Sequence, residues 1–314
     1  MTNVFITGVS GYFGAKLVSL FDSKEDIQTI VGVDVNPPGF SSKKLQFIRH
    51  DVRNDMETLI GRCHIDWAIH TAFILPPLHD KALMEDININ GTRNFLKACE
   101  KAKVKQILHC SSTTAYGFHQ DNPPLLTEES PLRGNDDFTY SKNKKELELV
   151  VREFSELHPE IVLTIVRPCF VVGPGFDNPL SRYLLKKVVP LPFRTAPFQF
   201  IHEDDLAEII YRLLKEKKKG VFNLAADGTM NFDEMVHTLG NWLIRLPVAV
   251  MSPMNSLMWF LRLRWITEFP SPGLNLALYP WIASNEKIKR ELNYQFKYTT
   301  REAFEDFAHH VRTT

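Results

Sequence analysis

A tyrosine and a lysine four residues apart are the first residues of this chain that could do chemistry. Tyr140 and Lys144 open a helical pattern, and residues four apart share one face of a helix. An ammonium beside a phenol stabilises the phenolate and lowers the pKa of the phenol toward neutrality. The pair therefore predicts that Tyr140 is a general acid or base near pH 7, with Lys144 also within reach of a cofactor ribose.

A hydroxyl-rich turn over residues 111–117 follows a short apolar run that ends at Cys110. If that run is a strand of a parallel sheet, its carboxyl end faces the crevice in which such sheets bind ligands. A serine or threonine there can hold the oxygen of a reacting alcohol or carbonyl. The alternative is a polar turn without a chemical role.

Three glycines near the amino terminus form a candidate phosphate loop. Gly8, Gly11 and Gly14 follow the first apolar run and precede a helical pattern. Glycines at this spacing permit a tight turn and a close approach of backbone to a pyrophosphate, which the amino end of the next helix also attracts.

An acidic residue completes this dinucleotide pattern. Asp34 closes the second apolar run and is followed by Val35, Asn36 and two prolines, without an arginine. A carboxylate at this place accepts hydrogen bonds from ribose hydroxyls and repels a 2′-phosphate. The sequence therefore predicts NAD in preference to NADP, the alternative being a solvated aspartate at a strand end.

Short β-branched runs alternate with helical patterns over the first 170 residues, and several runs are apolar on both faces. This alternation predicts an α/β fold with a doubly wound parallel (Rossmann) sheet and a smaller C-terminal substrate-binding annex. We expect an NAD-binding domain over residues 1–170, with returns to the sheet near 199–225, and a mainly substrate-binding region over 171–314. The expected strands lie at residues 4–6, 29–33, 45–48, 67–69, 106–109 and 162–166.

Composition narrows the class of protein. The 314 residues carry 37 basic and 37 acidic side chains, with 44% hydrophobic residues, which fits a globular fold and argues against a nucleic-acid partner. The four cysteines form no Cys-x-x-Cys pair, so we expect no metal site and no disulfides. The absence of a signal sequence and of a long uncharged apolar stretch predicts a cytoplasmic protein without a membrane span.

Taken together, these motifs resemble the extended short-chain dehydrogenase/reductase family, also called the NAD-dependent epimerase/dehydratase family. The matching pieces follow the family's order over about residues 3–230. They are the glycine loop from Thr7 to Gly14, Asp34, Asp51-Val52, His70-Thr71-Ala72, Asn88 to Thr92, Ser111-Ser112 with Tyr116-Gly117, Tyr140-x-x-x-Lys144, Arg167-Pro168 with Gly173-Pro174-Gly175, and Phe200-Ile201-His202 with Asp205.

The resemblance implies a role for each matched residue. Tyr140 would be the acid/base with Lys144 as its partner, Ser112 would orient the substrate, and Asn88 would serve a proton relay. Cofactor contacts are implied for the following residues: Gly8, Gly11, Tyr12, Phe13 and Gly14 of the loop, Asp34, Asp51 and Val52 beside the adenine, Thr71 and Ala72, and Tyr140 and Lys144. Helices around residues 80–101 and 141–157 match those that pair subunits, which implies a homodimer.

Two aromatic residues depart from the nucleotide-sugar members of the family. Phe170 stands where they commonly have an asparagine, and the segment containing Phe198 lacks their arginine, with no cation nearer than Arg194. A buried diphosphate without cationic partners is costly. The departures favour an apolar or singly charged alcohol as substrate.

Three functions therefore stand side by side. The first is an NAD-dependent oxidoreductase acting on a secondary alcohol or ketone, and the second is a nucleotide-sugar epimerase or dehydratase that retains NAD. The third is a non-catalytic NAD-binding sensor or scaffold, against which the intact Ser112, Tyr140 and Lys144 set argues. The methionine- and tryptophan-rich segment 251–281 is either a helix packed on the sheet or an apolar lid, and Arg262 and Arg264 are candidates to meet a substrate carboxylate.

Overall fold

Parallel strands form the centre of the molecule. The computed structural model describes residues 1–75, 78–263 and 265–313, so Arg264 lies outside the described residues. The strands are β1 (Thr2–Thr7), β2 (Ile27–Asp34), β3 (Leu45–Arg49), β4 (Trp67–His70), β5 (Gln106–Cys110), β6 (Val162–Pro168), β7 (Phe170–Val172), β8 (Val188–Pro192), β9 (Phe200–His202), β10 (Gly220–Leu224) and β11 (Trp242–Leu246).

The main sheet has the strand order β3-β2-β1-β4-β5-β6-β10, and every neighbouring pair in it is parallel. The order reverses between β1 and β4, so the connections that leave these two strands diverge and open a crevice at their carboxyl ends. This arrangement confirms the predicted doubly wound parallel sheet.

Some helices cover the two faces of this sheet, and others belong to the smaller part of the molecule. In chain order the helices are α1 (Tyr12–Ser23), α2 (Met56–Gly61), α3 (Lys81–Glu85), α4 (Gly91–Lys101), α5 (Thr139–Leu157), α6 (Pro179–Leu184), α7 (Glu203–Lys215), α8 (Phe232–Thr238), α9 (Val248–Phe260), α10 (Asn275–Leu278), α11 (Glu286–Leu292) and α12 (Thr300–Thr313). A π-helical turn, Asp86–Asn90, joins α3 to α4.

Alternation along β1 shows why both faces are apolar. Val4 and Ile6 are buried in one cluster with side chains of α1 and α7, whereas Phe5 is buried in another with side chains of α2, α4 and α5. Successive side chains of a strand point to opposite faces. A strand covered on both sides therefore needs an unbroken apolar run, as Val4-Phe5-Ile6 has.

A third apolar cluster forms the core of the smaller part of the molecule. It is rich in aromatic side chains and includes Phe198, Phe200, Phe232, Phe304 and Trp281. Two short parallel pairs, β7–β9 and β8–β11, lie outside the main sheet. Among the described residues, no helix is long and apolar enough to cross a bilayer.

Candidate functional site

The glycine loop forms a closely packed turn between β1 and α1. Gly8 has a φ of +72°, and a Cβ at Gly8 would lie 2.6 Å from the backbone nitrogen of Ala72. A Cβ at Gly14 would collide with the carbonyl oxygen of Gly8. Gly11 is the N-cap of α1 and provides no side-chain cap. The first N–H groups of the helix have no intrahelical acceptors, so they are available to an anion.

Asp34 ends β2 beside this turn. Its carboxylate accepts hydrogen bonds from the backbone N–H of Ser10 and of Asn36, both at 3.1 Å. The contact with Ser10 ties the carboxylate to the glycine loop. Asp34 is therefore positioned next to the amino end of α1, as a ribose-binding residue requires.

The next two predicted cofactor pairs lie at the carboxyl ends of β3 and β4. Asp51 forms an ion pair with Arg53 at 2.7 Å, which lowers the pKa of the carboxyl, and Val52 is buried against Gly91. Thr71 donates its hydroxyl to the carbonyl of Thr7 at 2.6 Å. Since Ala72 packs on Gly8, Thr71 and Ala72 join β4 to the glycine loop.

Tyr140 lies at the start of α5, beside the hydroxyls of Ser112 and Thr114. Burial raises the pKa of Tyr140, and the two hydroxyls oppose this shift in part. Ser112 is the N-cap of a 3₁₀ turn, Thr113–Tyr116, and so stands directly after β5. The structure thus brings Ser112 and Tyr140 together and adds Thr114, which the sequence analysis did not single out.

Lys144 is buried one helical turn beyond Tyr140. Its ammonium donates to the carbonyl of Cys110 at 2.9 Å and lies 3.7 Å from the centre of the Phe73 ring. Burial lowers the pKa of Lys144 to about 8. The expected lowering of the Tyr140 pKa by Lys144 is wrong for this structure, because the effect of burial dominates and the ammonium binds Cys110 and Phe73.

Phe73 is a site residue that the sequence analysis missed. Its ring packs edge to face with the Tyr140 ring, with centroids 5.4 Å apart. The Lys144 ammonium lies over the face of the Phe73 ring in a cation–π contact. Phe73 directly follows the His70-Thr71-Ala72 motif. That adjacency is the signal that could have identified it.

Asn88 lies on the π-helical turn between α3 and α4. Its side-chain oxygen accepts a hydrogen bond from the backbone N–H of Ile74 at 2.8 Å. The Asn88 Nδ2 atom is buried and has no partner among the described residues. A π-turn often marks a functional position, and here it buries an asparagine that fixes the segment following Phe73.

Tyr12 and Phe13 differ from the glycines of the loop. The hydroxyl of Tyr12 donates a hydrogen bond to the carboxylate of Glu203 in α7. Burial and the negative charge of Glu203 raise the pKa of the Tyr12 phenol. Phe13 packs against the core cluster that contains α1. Their side chains therefore connect elements of the fold, and their backbone N–H groups at the start of α1 are what they offer to an anion.

Phe170 and Phe198 occupy different environments. The rings of the two residues pack 4.9 Å apart, but Phe198 is completely buried in the aromatic cluster, whereas Phe170 is only partly buried. Phe198 consequently belongs to the core. The expectation that it stands in the substrate site in place of a cation is wrong.

The residues present fit NAD. The cradle beside α1 has no room for a Cβ at Gly8 or Gly14, which is the condition for a close approach of a pyrophosphate. Asp34 stands beside it as a hydrogen-bond acceptor for a ribose. Tyr140 and Lys144 lie at the carboxyl ends of the neighbouring strands, where a nicotinamide group would meet a substrate.

Comparisons with known proteins agree with this geometry. The sequence profile of the NAD dependent epimerase/dehydratase family matches residues 4–225. An uncharacterized protein of Mycobacterium tuberculosis is 28% identical over 313 residues, which cover 97% of this chain and 82% of that protein. The N-acetyl-alpha-D-glucosaminyl-diphospho-ditrans,octacis-undecaprenol 4-epimerase of Escherichia coli O157:H7 is 32% identical over 246 residues, or 74% of this chain and 70% of that protein.

Solved structures share the fold at low sequence identity. A UDP-glucose 4-epimerase from Thermotoga maritima, solved with UDP-glucose, has a TM-score of 0.79 and 17% identity, with 99% of both chains covered. A dTDP-glucose 4,6-dehydratase from Bacillus anthracis, solved with NAD, has a TM-score of 0.77 and 17% identity over 100% of this chain and 97% of the other. The expectations of an enzyme and of NAD as cofactor are confirmed, because the chain belongs to the NAD-dependent epimerase/dehydratase family.

Proposed function

We propose that this protein is an NAD-dependent epimerase that inverts a secondary alcohol on a sugar carried by a diphosphate. The observation that carries the proposal is the buried phenol of Tyr140, which lies beside the hydroxyls of Ser112 and Thr114 at the carboxyl edge of the sheet. The 4-epimerase of Escherichia coli supports this choice, since it acts on a sugar linked to a diphosphate and is 32% identical to this chain.

Three hydroxyl groups would handle the reacting oxygen. NAD, when bound, accepts a hydride from the carbinol carbon and returns it, so that inversion needs no outside oxidant. Tyr140 would take the hydroxyl proton as the hydride leaves and give it back when the hydride returns. Ser112 and Thr114 would bind the oxygen of the planar ketone before and after it turns over in the site, and this turn presents its opposite face for return of the hydride.

Lys144 would supply the positive charge that stabilises the phenolate form of Tyr140. Its pKa of about 8 leaves it mostly protonated at pH 7, and its position one helical turn from Tyr140 lets the ammonium favour the phenolate once it leaves Phe73. We infer that Lys144 also binds the cofactor ribose, because the ammonium is buried at the carboxyl end of β5.

The Phe198 side chain is in the core, so it does not itself occupy the space of a diphosphate. The segment around it still has no cation nearer than Arg194, and Phe170 is the second departure. Because its ring is only partly buried and packs on Trp281, it favours a second candidate, an oxidoreductase that acts on an apolar secondary alcohol and releases NADH.

One assay separates the two candidates. The purified protein is incubated with a panel of sugars linked to nucleoside diphosphates and to polyprenyl diphosphates, and product configuration and absorbance at 340 nm are followed together. An epimerase yields the inverted sugar without accumulation of NADH. Stoichiometric NADH with a sugar-free alcohol, and no inversion of any sugar, would establish the oxidoreductase instead.

The role of Tyr140 is tested in the same assay. Tyr140→Phe is expected to lower turnover by about 10²–10⁴-fold, the usual contribution of a positioned acid/base, with NAD affinity nearly unchanged. Tyr183→Phe is a suitable control, because Tyr183 is a half-buried tyrosine whose hydroxyl donates to the carbonyl of Pro190. Near-normal turnover of the Tyr140 variant would remove this residue from the mechanism.

We also propose a homodimer in the cytoplasm. The helices α4 and α5 form a groove lined in part by Leu96, Phe154 and Leu157, and Leu157 is 70% exposed. Such apolar exposure on adjacent helices supports the expected pairing of subunits. All four cysteines are free thiols, which supports a reducing compartment.

A further inference from the structure

The helix α9 is apolar on its inner side and also over much of its outer side. On the inner side Met251 is buried, and Asn255 donates to the carbonyl of Phe269 at 3.0 Å. Four apolar residues on the outer side are exposed, and we call them the α9 face. They are Val250, Met254, Leu257 and Phe260. A helix that faces water normally buries its apolar side, so the α9 face is built to meet something other than water.

Large apolar side chains are also exposed on the elements that adjoin α9 in the chain. Trp242 opens β11, lies opposite Val188 of β8 in the parallel register, and is 71% exposed. Ile244 points to the same side of the strand two residues later. Beyond the helix, Phe260 and Trp265 are 79% and 78% exposed. Aromatic side chains of this kind collect at the interface between lipid and water.

The unpaired charges around this surface are basic, whereas the nearby carboxylates of Asp233 and Glu268 pair with Arg245 and Arg182. The segments 185–197 and 242–265 contain no aspartate or glutamate. Lys187, Arg194 and Arg262 are exposed, and none of the three forms an ion pair within the described part of the chain. Arg262 has a φ of +57° and stands just after the end of α9, at the rim of the apolar surface. Cations at the rim of an apolar surface complement anionic lipid headgroups.

We propose that the α9 face, together with Trp242, Ile244 and Trp265, docks this protein on the surface of an anionic bilayer. α9 has 13 residues and spans about 20 Å, too short for the hydrocarbon core of about 30 Å. It would therefore lie in the interface. A second copy of the chain fits this surface less well, because a two-fold contact would bring Lys187, Arg194 and Arg262 of both subunits together without carboxylates to neutralise them.

The helix α9 packs on two segments that border the candidate active site. Trp259 of α9 stacks on His79, six residues after Phe73, with ring centroids 4.3 Å apart. Ser271 donates to the carbonyl of Ser252 in α9 at 2.6 Å. Gly273 of the same segment lies beside the Phe138 ring, whose centroid is 6.4 Å from that of Tyr140. With the function proposed above, on which this consequence rests, the carrier of the sugar would be a membrane lipid linked through a diphosphate.

Vesicle flotation tests the docking. The full-length protein is mixed with vesicles of phosphatidylcholine alone or with 30% phosphatidylglycerol, about the anionic content that attracts basic segments. Binding is expected to the anionic vesicles and to weaken with salt. Leu257→Ser with Phe260→Ser should weaken binding at least about tenfold. Replacing Lys187, Arg194 and Arg262 with Gln should weaken it by about 10–100-fold on anionic vesicles only.

The matched control is Leu125→Ser with Val311→Ser, two exposed apolar residues away from α9, which should bind as the original protein does. Absence of flotation, or an equal loss in the control pair, would overturn the docking proposal. So would a change in oligomeric state of the Leu257 and Phe260 variant, since that would make the α9 face a subunit interface. Inversion of a water-soluble sugar diphosphate without vesicles reports the proposed function separately, and its failure leaves flotation interpretable.

Discussion

Burial governs the protonation of the candidate catalytic residues. It raises the pKa of Tyr140 and lowers that of Lys144, so it disfavours the charged form of both. The hydroxyls of Ser112 and Thr114 oppose the shift of the phenol only in part. We expect the phenolate to become more favourable when the Lys144 ammonium turns from Phe73 toward Tyr140 or when a bound cofactor adds positive charge.

Lys144→Met is expected to increase stability while it removes activity. The Lys144 pKa falls from 10.5 to about 8 in the folded protein, so the folded state binds fewer protons than the unfolded state between these values. The charge then costs stability at pH 7, by about 1–3 kcal/mol at this size of shift. The increase in the free energy of unfolding of the Lys144→Met variant should therefore be complete below about pH 8 and vanish as the pH approaches 10.5.

Urea unfolding of the NAD-free protein at pH 7 and at pH 10 measures this gain. Lys145→Met is the matched control, because Lys145 is on the same helix and pairs with Asp136 at the surface, so its removal should not stabilise the protein. A loss of stability in the Lys144 variant at pH 7 would show that the hydrogen bond to Cys110 outweighs the cost of burying the ammonium.

At the scale of residues, the sequence predicted polar groups better than aromatic ones. The glycines, Asp34, Ser112, Tyr140 and Lys144 follow strands whose carboxyl ends must meet at one edge, so their proximity follows from the fold. The place of Phe73 depends on how the chain turns after β4. Phe198 fits a core position and a pocket wall equally well in sequence, and only the packing of Phe232 and Trp281 around it decides between them.

At the scale of elements, residues 81–101 show where the spacing of apolar residues fails to predict the buried face of a helix. The four-residue spacing of Leu83, Ile87, Gly91 and later apolar residues predicts one buried face. Leu83 is instead 39% exposed, and Met84 and Asn88 are buried. The π-turn Asp86–Asn90 widens one turn of the helix, which changes the residues that face the core. Hydrophobic spacing alone does not reveal such a turn.

The turn from β1 to α1 supplies an element-scale prediction. Gly14→Ala is expected to weaken NAD binding by more than tenfold and to destabilise the protein, because the new Cβ would meet backbone atoms of Gly8 and Val9 that cannot move independently. Gly61→Ala, at the end of α2, meets nothing within 4 Å and should stabilise by about 0.5–1 kcal/mol through helix propensity.

Fluorescence titration with NADH and thermal unfolding of both glycine variants measure these effects. Normal NADH affinity in the Gly14 variant would show that the loop relaxes around the added methyl group and that the cofactor does not depend on this close approach.

At the scale of the whole molecule, the sheet was predictable and the smaller part was not. Apolar runs and the glycine loop define β1 to β6 in sequence, most clearly β1, β4 and β5, whose residues are buried almost throughout. The region around α9 has prolines and apolar residues without a clear period, so sequence allowed either a packed helix or a lid. The structure shows a helix that is apolar where it packs, at Met251, and also where it is exposed, at Leu257 and Phe260, and hydropathy cannot distinguish these two sides.

Two exposed apolar surfaces thus need different partners. On α5, Leu149 and Leu157 are exposed and lie eight residues apart, which places them on one face. Leu149→Glu with Leu157→Glu is expected to convert the proposed homodimer to a monomer, because pairing of the helices would bury unpaired carboxylates. Light scattering measures the mass, and Leu257→Glu with Phe260→Glu on α9 should leave the dimer intact. A dimer lost through α9 and kept through α5 would reverse the two assignments, making α9 the subunit interface and leaving the α4–α5 groove without a partner.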